Sequence, residues 1–193
     1  NKLISKKKFL YDKKLFKNED DVLGMQKARK MLISKKTKVD TNKIEFFDHH
    51  ECHAYYGYYG SDLKNKKVVI VTSDGGGDNT NGSIWINSEN KIIEKYRTNI
   101  CNIGRIYRYI TLILGMKPTE HEFKVMGMAG YGIEKSNFYD KAIKIFKNTL
   151  TVNGVKFKYK YKPKDNFFYY KKKLDGLRFD TISFALQKFT EDL

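Results

Sequence analysis

Residues 67–78, KVVIVTSDGGGD, constrain the fold more than any other stretch. Val68 to Thr72 is an unbroken β-branched run. Such side chains are stiff at χ1 and pack well on a pleated surface. The run is too short for a buried helix, so it predicts a strand. It is apolar on both sides, which predicts a strand covered on both faces, as in a parallel sheet. Asp74, Gly75, Gly76, Gly77 and Asp78 follow, with the residue types of a tight turn. The next segment, GSIWINSENKIIEKYRT, alternates in polarity and has a turn signal at NSEN, so it predicts a hairpin.

Helical patterns flank this unit. Asp21 to Lys35 places Val22, Met25, Met31 and Leu32 at helical spacing and reads as an amphipathic helix. KIEFF reads as a short strand. Ile103, Ile106, Tyr107, Ile110 and Leu114 share one helical face. PTEHEFKVMGMAGYG predicts a short helix ending in glycines, and NFYDKAIKIFKNTL another. TVNGVKFKYKYKP predicts a lysine-rich strand pair at an edge, and RFDTISFALQKFTEDL an amphipathic helix. Strands and helices around one parallel-looking run predict an α/β fold, a mixed sheet flanked by helices.

Three of the chain's four histidines fall within residues 49–53. Asp48 followed by Glu51 is a capping-box pattern and starts a helix at His49. His49 and His53 then stand one turn apart, and two neutral imidazoles so placed can hold one divalent metal. The same spacing also suits two surface histidines. Asp74 closes a strand, where a carboxylate can reach a ligand, and glycine N–H groups can cradle phosphate oxygens. Asp78 either faces a metal or ribose or belongs to the turn. Glu122 either caps its helix from Thr119 or contacts a ligand. Lys124 is either a solvated lysine or a ligand contact, and Gly127 either helps end the helix or admits a nucleotide. Neither a dinucleotide nor a P-loop fingerprint is present.

The formal charge of +16 invites a polyanion. The positive charge is nearly all lysine, however, with arginine only at 29, 97, 105, 108 and 178. Base and phosphate readers lean on arginine's planar fork, so specific nucleic-acid binding is not expected. Two distant cysteines, Cys52 and Cys101, make no disulfide framework and point to a reducing cytoplasm. No apolar run approaches the roughly 18 residues of a membrane span, and the N-terminus lacks a signal-peptide apolar region.

Taken in order, HHECHA, a strand into DGGGD, IGRIYRYIT…LG and EHEFKVMGMAGYG resemble the NodU/CmcH carbamoyltransferase family. DTISFALQKFTEDL is similar to that family's helix bearing a Gln and a Glu. The likeness runs from about residue 44 onward, leaving 1–43 as a lead-in without motifs and 136–177 as a diverged stretch. It implies a ribonuclease-H-like, actin-like ATPase fold and a domain that binds carbamoyl adenylate, made from ATP and carbamoyl phosphate. The carbamoyl group would pass to a hydroxyl of a small-molecule acceptor. His49, His53 and Asp74 would ligate the metal, iron by resemblance, with zinc or manganese able to replace it. His49, His50 and Asp74 are the catalytic candidates. Gly75, Gly76, Gly77, Asp78, Glu122, Lys124 and Gly127 are the nucleotide-binding candidates.

The chain also departs from the family. No phosphate-binding strand pair precedes residue 44, and the second half of the fold and the YrdC-like domain are missing. The expectation is therefore a middle portion of a first domain that does not complete the reaction alone. Two other readings stand beside it: a tRNA threonylcarbamoyl-transfer enzyme, which shares the two-histidine helix but not GGGD or KVMG, and a non-catalytic nucleotide-binding remnant.

Overall fold

The computed structural model describes residues 21–88 and 91–193. The fold is mixed α/β. The elements in chain order are α1 (Val22–Thr37), α2 (His49–Tyr59), β1 (Val68–Gly77), β2 (Thr80–Ser88), β3 (Lys91–Thr98), α3 (Ile103–Ile113), α4 (Glu122–Ala129), α5 (Asn137–Lys147), β4 (Leu150–Asn153), β5 (Lys156–Tyr159), α6 (Asn166–Lys173) and α7 (Phe179–Asp192). Glu89 and Asn90 of the predicted NSEN turn lie outside the described residues.

β1, β2 and β3 form an antiparallel sheet in that order. Val71 pairs with Ile84, and Ile84 with Tyr96. This corrects the expectation of a covered parallel strand. β1 is at the sheet edge, with Val69 and Val71 65% and 69% exposed. A continuous β-branched run has no alternation to reveal which face is covered. Here Thr72, Ser83, Trp85 and Asn87 are buried, while Val69, Val71 and Ile93 stand bare on the opposite face.

Three local expectations also change. The strand continues through the glycines as a bulge between Ser73 and Gly77, and the turn falls at Asp78–Asn79. Both of those residues have positive φ, 49° and 58°. That is the backbone of a two-residue hairpin turn whose twist matches its strands. KIEFF forms no strand: Lys43 ends a 3-10 turn at Thr41–Lys43, and residues 44–47 are irregular. α1 forms, capped by Asp21 accepting the Gly24 N–H at 3.0 Å, but it is not amphipathic. Only Ala28 is buried there, and Leu23 and Met31 are exposed.

The main apolar core lies among the later helices. Ile106 and Ile110 of α3, Phe146 of α5, Tyr170 of α6 and Phe189 of α7 meet there. β4 and β5 form the predicted hairpin beside it. The turn that follows α4 makes a close approach to α7, since a Cβ on Gly132 would lie 2.1 Å from Phe184 Cβ and 2.5 Å from its Cγ. Gly132→Ala is expected to push α7 away and cost about 1–3 kcal/mol, the scale of overpacking. Urea unfolding would measure it, and an unchanged midpoint would mean that the segment yields freely.

Candidate metal centre

α2 presents two stripes. His50, Ala54 and Tyr58 recur every fourth residue and are buried against the sheet. His49 and His53 lie one residue earlier, so they run along the margin of that buried face. The Tyr58 hydroxyl is tied down by Asn87 Nδ2 at 2.8 Å and the Asn65 N–H at 2.7 Å.

The start of α2 is held by three groups. Asp48 accepts the Glu51 N–H at 2.9 Å, as the capping pattern predicts. The same carboxylate takes a two-pronged contact from Arg97 of β3, at 2.6 Å and 3.1 Å. Asp78, from the β1–β2 turn, accepts the His49 N–H at 2.9 Å. Burial alone would raise the Asp48 carboxyl, but Arg97 and the helix N–H groups outweigh it and hold it below the usual range. Glu94 and Asp48 together push the Arg97 guanidinium further up.

The helix thereby delivers its histidines to the end of β1. His49 Nε2 lies 2.5 Å and His53 Nε2 3.1 Å from Asp74 Oδ2. The two imidazole nitrogens are 3.2 Å apart, with ring planes at 86°. Ligand atoms about 2.0–2.1 Å from one tetrahedral ion lie ~3.3 Å from one another. His49, His53 and Asp74 therefore have the donor types and spacing of a cation site, all within 4.8 Å of one another. Burial would raise the Asp74 carboxyl. The His49 hydrogen bond, the Gly76 N–H at 2.7 Å and the attraction of His49 and His50 overcome it, so the group sits below the usual range.

His50 lies behind this cluster and is fully buried. This candidate of the resemblance stands here as a buried hydrogen-bonding group, set behind the two imidazoles at the cluster's opening. Its Nδ1 meets Thr72 Oγ1 at 2.6 Å, Thr72 meets Ser83 Oγ at 2.6 Å, and Trp85 Nε1 donates to Ser83 at 2.6 Å. His50 Nε2 finds no hydrogen-bond partner but points to Asp74 Oδ1 at 3.4 Å. A lone pair there would face a carboxylate and be repelled. The proton therefore belongs on Nε2, and Nδ1 accepts from Thr72, which accepts from Ser83. Trp85, a donor only, starts this chain of hydrogen bonds, which ends at His50 Nδ1, with Asp74 Oδ1 3.4 Å beyond Nε2.

Of the three glycines, Gly77 backs the His49 ring, while Gly75 borders a cavity. A Cβ on Gly77 would lie 2.3 Å from His49 Cγ and 2.6 Å from Cδ2, so the imidazole packs on the bare backbone. Glycine is needed there for the histidine ring. Asp78 is engaged with the α2 N-terminus. Glu122 accepts the Thr119 N–H at 2.6 Å and so closes its own turn, while Lys124 extends over the Phe123 ring. The structure brings together His49, His50, His53, Asp74, Gly77 and Asp78. Glu122, Lys124 and Gly127 line neither cavity beside the cluster. Sequence reasoning missed Arg97, Thr72 and Trp85, because nothing local marks partners that only the sheet register aligns.

Two cavities open on the cluster. One of about 610 Å³ touches Asp74 and Gly75 and runs along α3. The other, of about 430 Å³, touches His49 and Gly77 and is walled by Phe46, Phe47 and Met25. Among the described residues, no helix is long and apolar enough to cross a membrane.

Fold and cluster define a mixed α/β domain that presents two imidazoles and a carboxylate between two open clefts. The match to known proteins narrows this: the family described as carbamoyltransferase N-terminus covers residues 1–191, and the chain belongs to it. The match includes residues 1–43, where the sequence shows none of that family's motifs. Uncharacterized protein MJ1051 of Methanocaldococcus jannaschii is 36% identical over 130 residues, 62% of this chain and 25% of that protein. Uncharacterized protein MJ1058 of the same organism is 26% identical over 174 residues, 80% of this chain and 28% of that protein. Nodulation protein NolNO of Sinorhizobium fredii is 34% identical over 98 residues, 50% of this chain and 14% of that protein. The chain thus matches only a fraction of the length of these relatives.

Proposed function

We propose that this domain binds a divalent metal through His49, His53 and Asp74 and takes part in transfer of a carbamoyl group from carbamoyl adenylate to an acceptor hydroxyl. The observation that carries the reading is the convergence of those three side chains in a chain of the carbamoyltransferase N-terminus family. Three antiparallel strands followed by a helix, with β1 left at the edge, suit the opening of a ribonuclease-H-like, actin-like unit. Two free thiols, Cys52 exposed and Cys101 buried, suit a cytoplasmic setting.

A bound divalent cation, iron or in its place zinc or manganese, would neutralise charge on a phosphate leaving group. The chain's own residues do the positioning. Asp74 stays anionic and draws both imidazoles toward one point. His50, through its Nε2 proton, fixes the rotamer of Asp74 from behind. Gly77 leaves room for the His49 ring, and Arg97 with Asp48 fixes where α2 begins. In the transfer, the acceptor oxygen bonds to the carbamoyl carbon, the bond from that carbon to the phosphate oxygen breaks to release AMP, and the hydroxyl proton passes to water. His53, half exposed at the cluster's rim, is the imidazole best placed to meet a substrate.

Elemental analysis of the purified chain after loading with Fe²⁺, Zn²⁺ or Mn²⁺ tests the reading. Stoichiometric metal that survives desalting is expected. Asp74→Asn keeps the shape and the turn hydrogen bonds but loses the charge, so it should fold normally and bind metal at least about tenfold more weakly. A wild-type chain that retains no metal would sink the proposal.

A further inference from the structure

Arg105 and Arg108 stand one turn apart on α3, both on the wall of the 610 Å³ cavity. They are two of the chain's few arginines. Both side chains are exposed, and neither has a carboxylate partner among the described residues. Arg105 Nη2 reaches only the Gly75 carbonyl, at 3.5 Å, which draws it across the cavity toward the end of β1. Arg97 and Arg178, by contrast, are each held by carboxylates. Like charges one turn apart repel and cost stability unless an anion lies between them. A guanidinium pair is also the arrangement that grips an oxyanion by two-pronged hydrogen bonds.

The rest of the wall gives the ligand a second end. Tyr109, Leu112 and Pro118 make it apolar away from the arginines, and Asp74 of the metal cluster borders the cationic side. The cavity falls within the range of small-molecule sites, roughly 300–1,000 Å³. We infer that Arg105 and Arg108 form an oxyanion subsite for the phosphate of a nucleotide-type ligand, whose ring system lies against Tyr109, Leu112 and Pro118. The inference rests on the proposed function only for its account of why a phosphate lies beside the metal cluster. It adds two arginines to the candidates for the ligand's phosphate, across the cavity from Gly75.

Calorimetric titration of the purified chain with AMP, adenosine and inorganic phosphate tests this, with metal content measured on the same samples. AMP should bind, and Arg105→Gln or Arg108→Gln should weaken it at least tenfold. Adenosine binding should be the same in wild type and variants. Phosphate should compete with AMP in the wild type and fail to do so in the double variant. Both arginines are exposed, so the variants should fold, and circular dichroism checks that they do. Unchanged AMP affinity in both variants, or adenosine binding as tightly as AMP, overturns the subsite, as does a wild type that binds neither AMP nor phosphate. Metal content reports separately: arginine-dependent AMP binding without metal would keep the subsite and sink the metal reading, and metal without AMP binding the reverse.

Discussion

On the proposed metal reading, a chain carrying Gly77→Ala is expected to bind divalent metal as poorly as one carrying His49→Ala, while its fold persists. The added methyl would overlap the His49 ring at 2.3 Å from Cγ, 2.6 Å from Cδ2 and 2.8 Å from Cβ. Contacts this short cannot be absorbed by a small relaxation. His49 cannot retreat along α2, because its N–H is fixed by Asp78 and the residue before it is clamped by Arg97. The ring must rotate off Asp74 and leave His53 and the carboxylate with two donors. The methyl faces the cluster and not the apolar core of the later helices, so the global cost should stay within about 1–3 kcal/mol. Metal affinity by competition with a chelator, together with urea unfolding, separates the two effects. Wild-type metal binding in a folded Gly77→Ala chain would show that the ring and the backbone are not in register, and the glycine's role would return to phosphate.

That expectation could not be read from the sequence, and the reason is general. DGGGD announces backbone freedom but not what approaches the backbone. The sequence made α2 legible because Asp48 and Glu51 mark a helix start locally, and the His49/His53 pair follows from the helix repeat. The β2–β3 hairpin was legible from alternation, and the α3 core face from its period. β1 was misread because Val68 to Thr72 carries no alternation, so only its neighbours decide which face is covered. α6 was missed, though Asp165 caps it by accepting the Phe168 N–H at 2.9 Å, because aromatic pairs and a lysine run blur its period. His50 entered the catalytic candidates through the resemblance alone. Its burial depends on which stripe of α2 meets the sheet, and the repeat alone allows either. Glu122 was read as half of a capping box with Thr119; it accepts the Thr119 N–H, but the helix starts at Glu122 itself, after His121, with no side-chain cap.

Thr72→Val is expected to lower metal affinity about ten- to a hundredfold, the usual effect of removing a partner that orients a ligand group. Valine matches threonine in shape, so packing between α2 and β1 should survive. Its methyl, however, cannot donate to His50 Nδ1. That nitrogen then lies fully buried without a partner, which costs about 1–3 kcal/mol. The ring can recover a hydrogen bond only by turning or by changing tautomer. Either change withdraws the Nε2 proton from Asp74 Oδ1, and the carboxylate loses the group that fixes it from behind. Trp85 and Ser83 cannot compensate, because their hydrogen bonds reach His50 only through Thr72. Thr72→Ser keeps the hydroxyl and should restore affinity to near wild type, even where it loosens packing slightly. Chelator competition on both variants, with urea unfolding alongside, distinguishes the roles. Loss of stability in Thr72→Val with unchanged metal affinity would mean that the buried polar chain serves folding alone, and that Asp74 is held well enough by the Gly76 N–H and the imidazoles of His49 and His53.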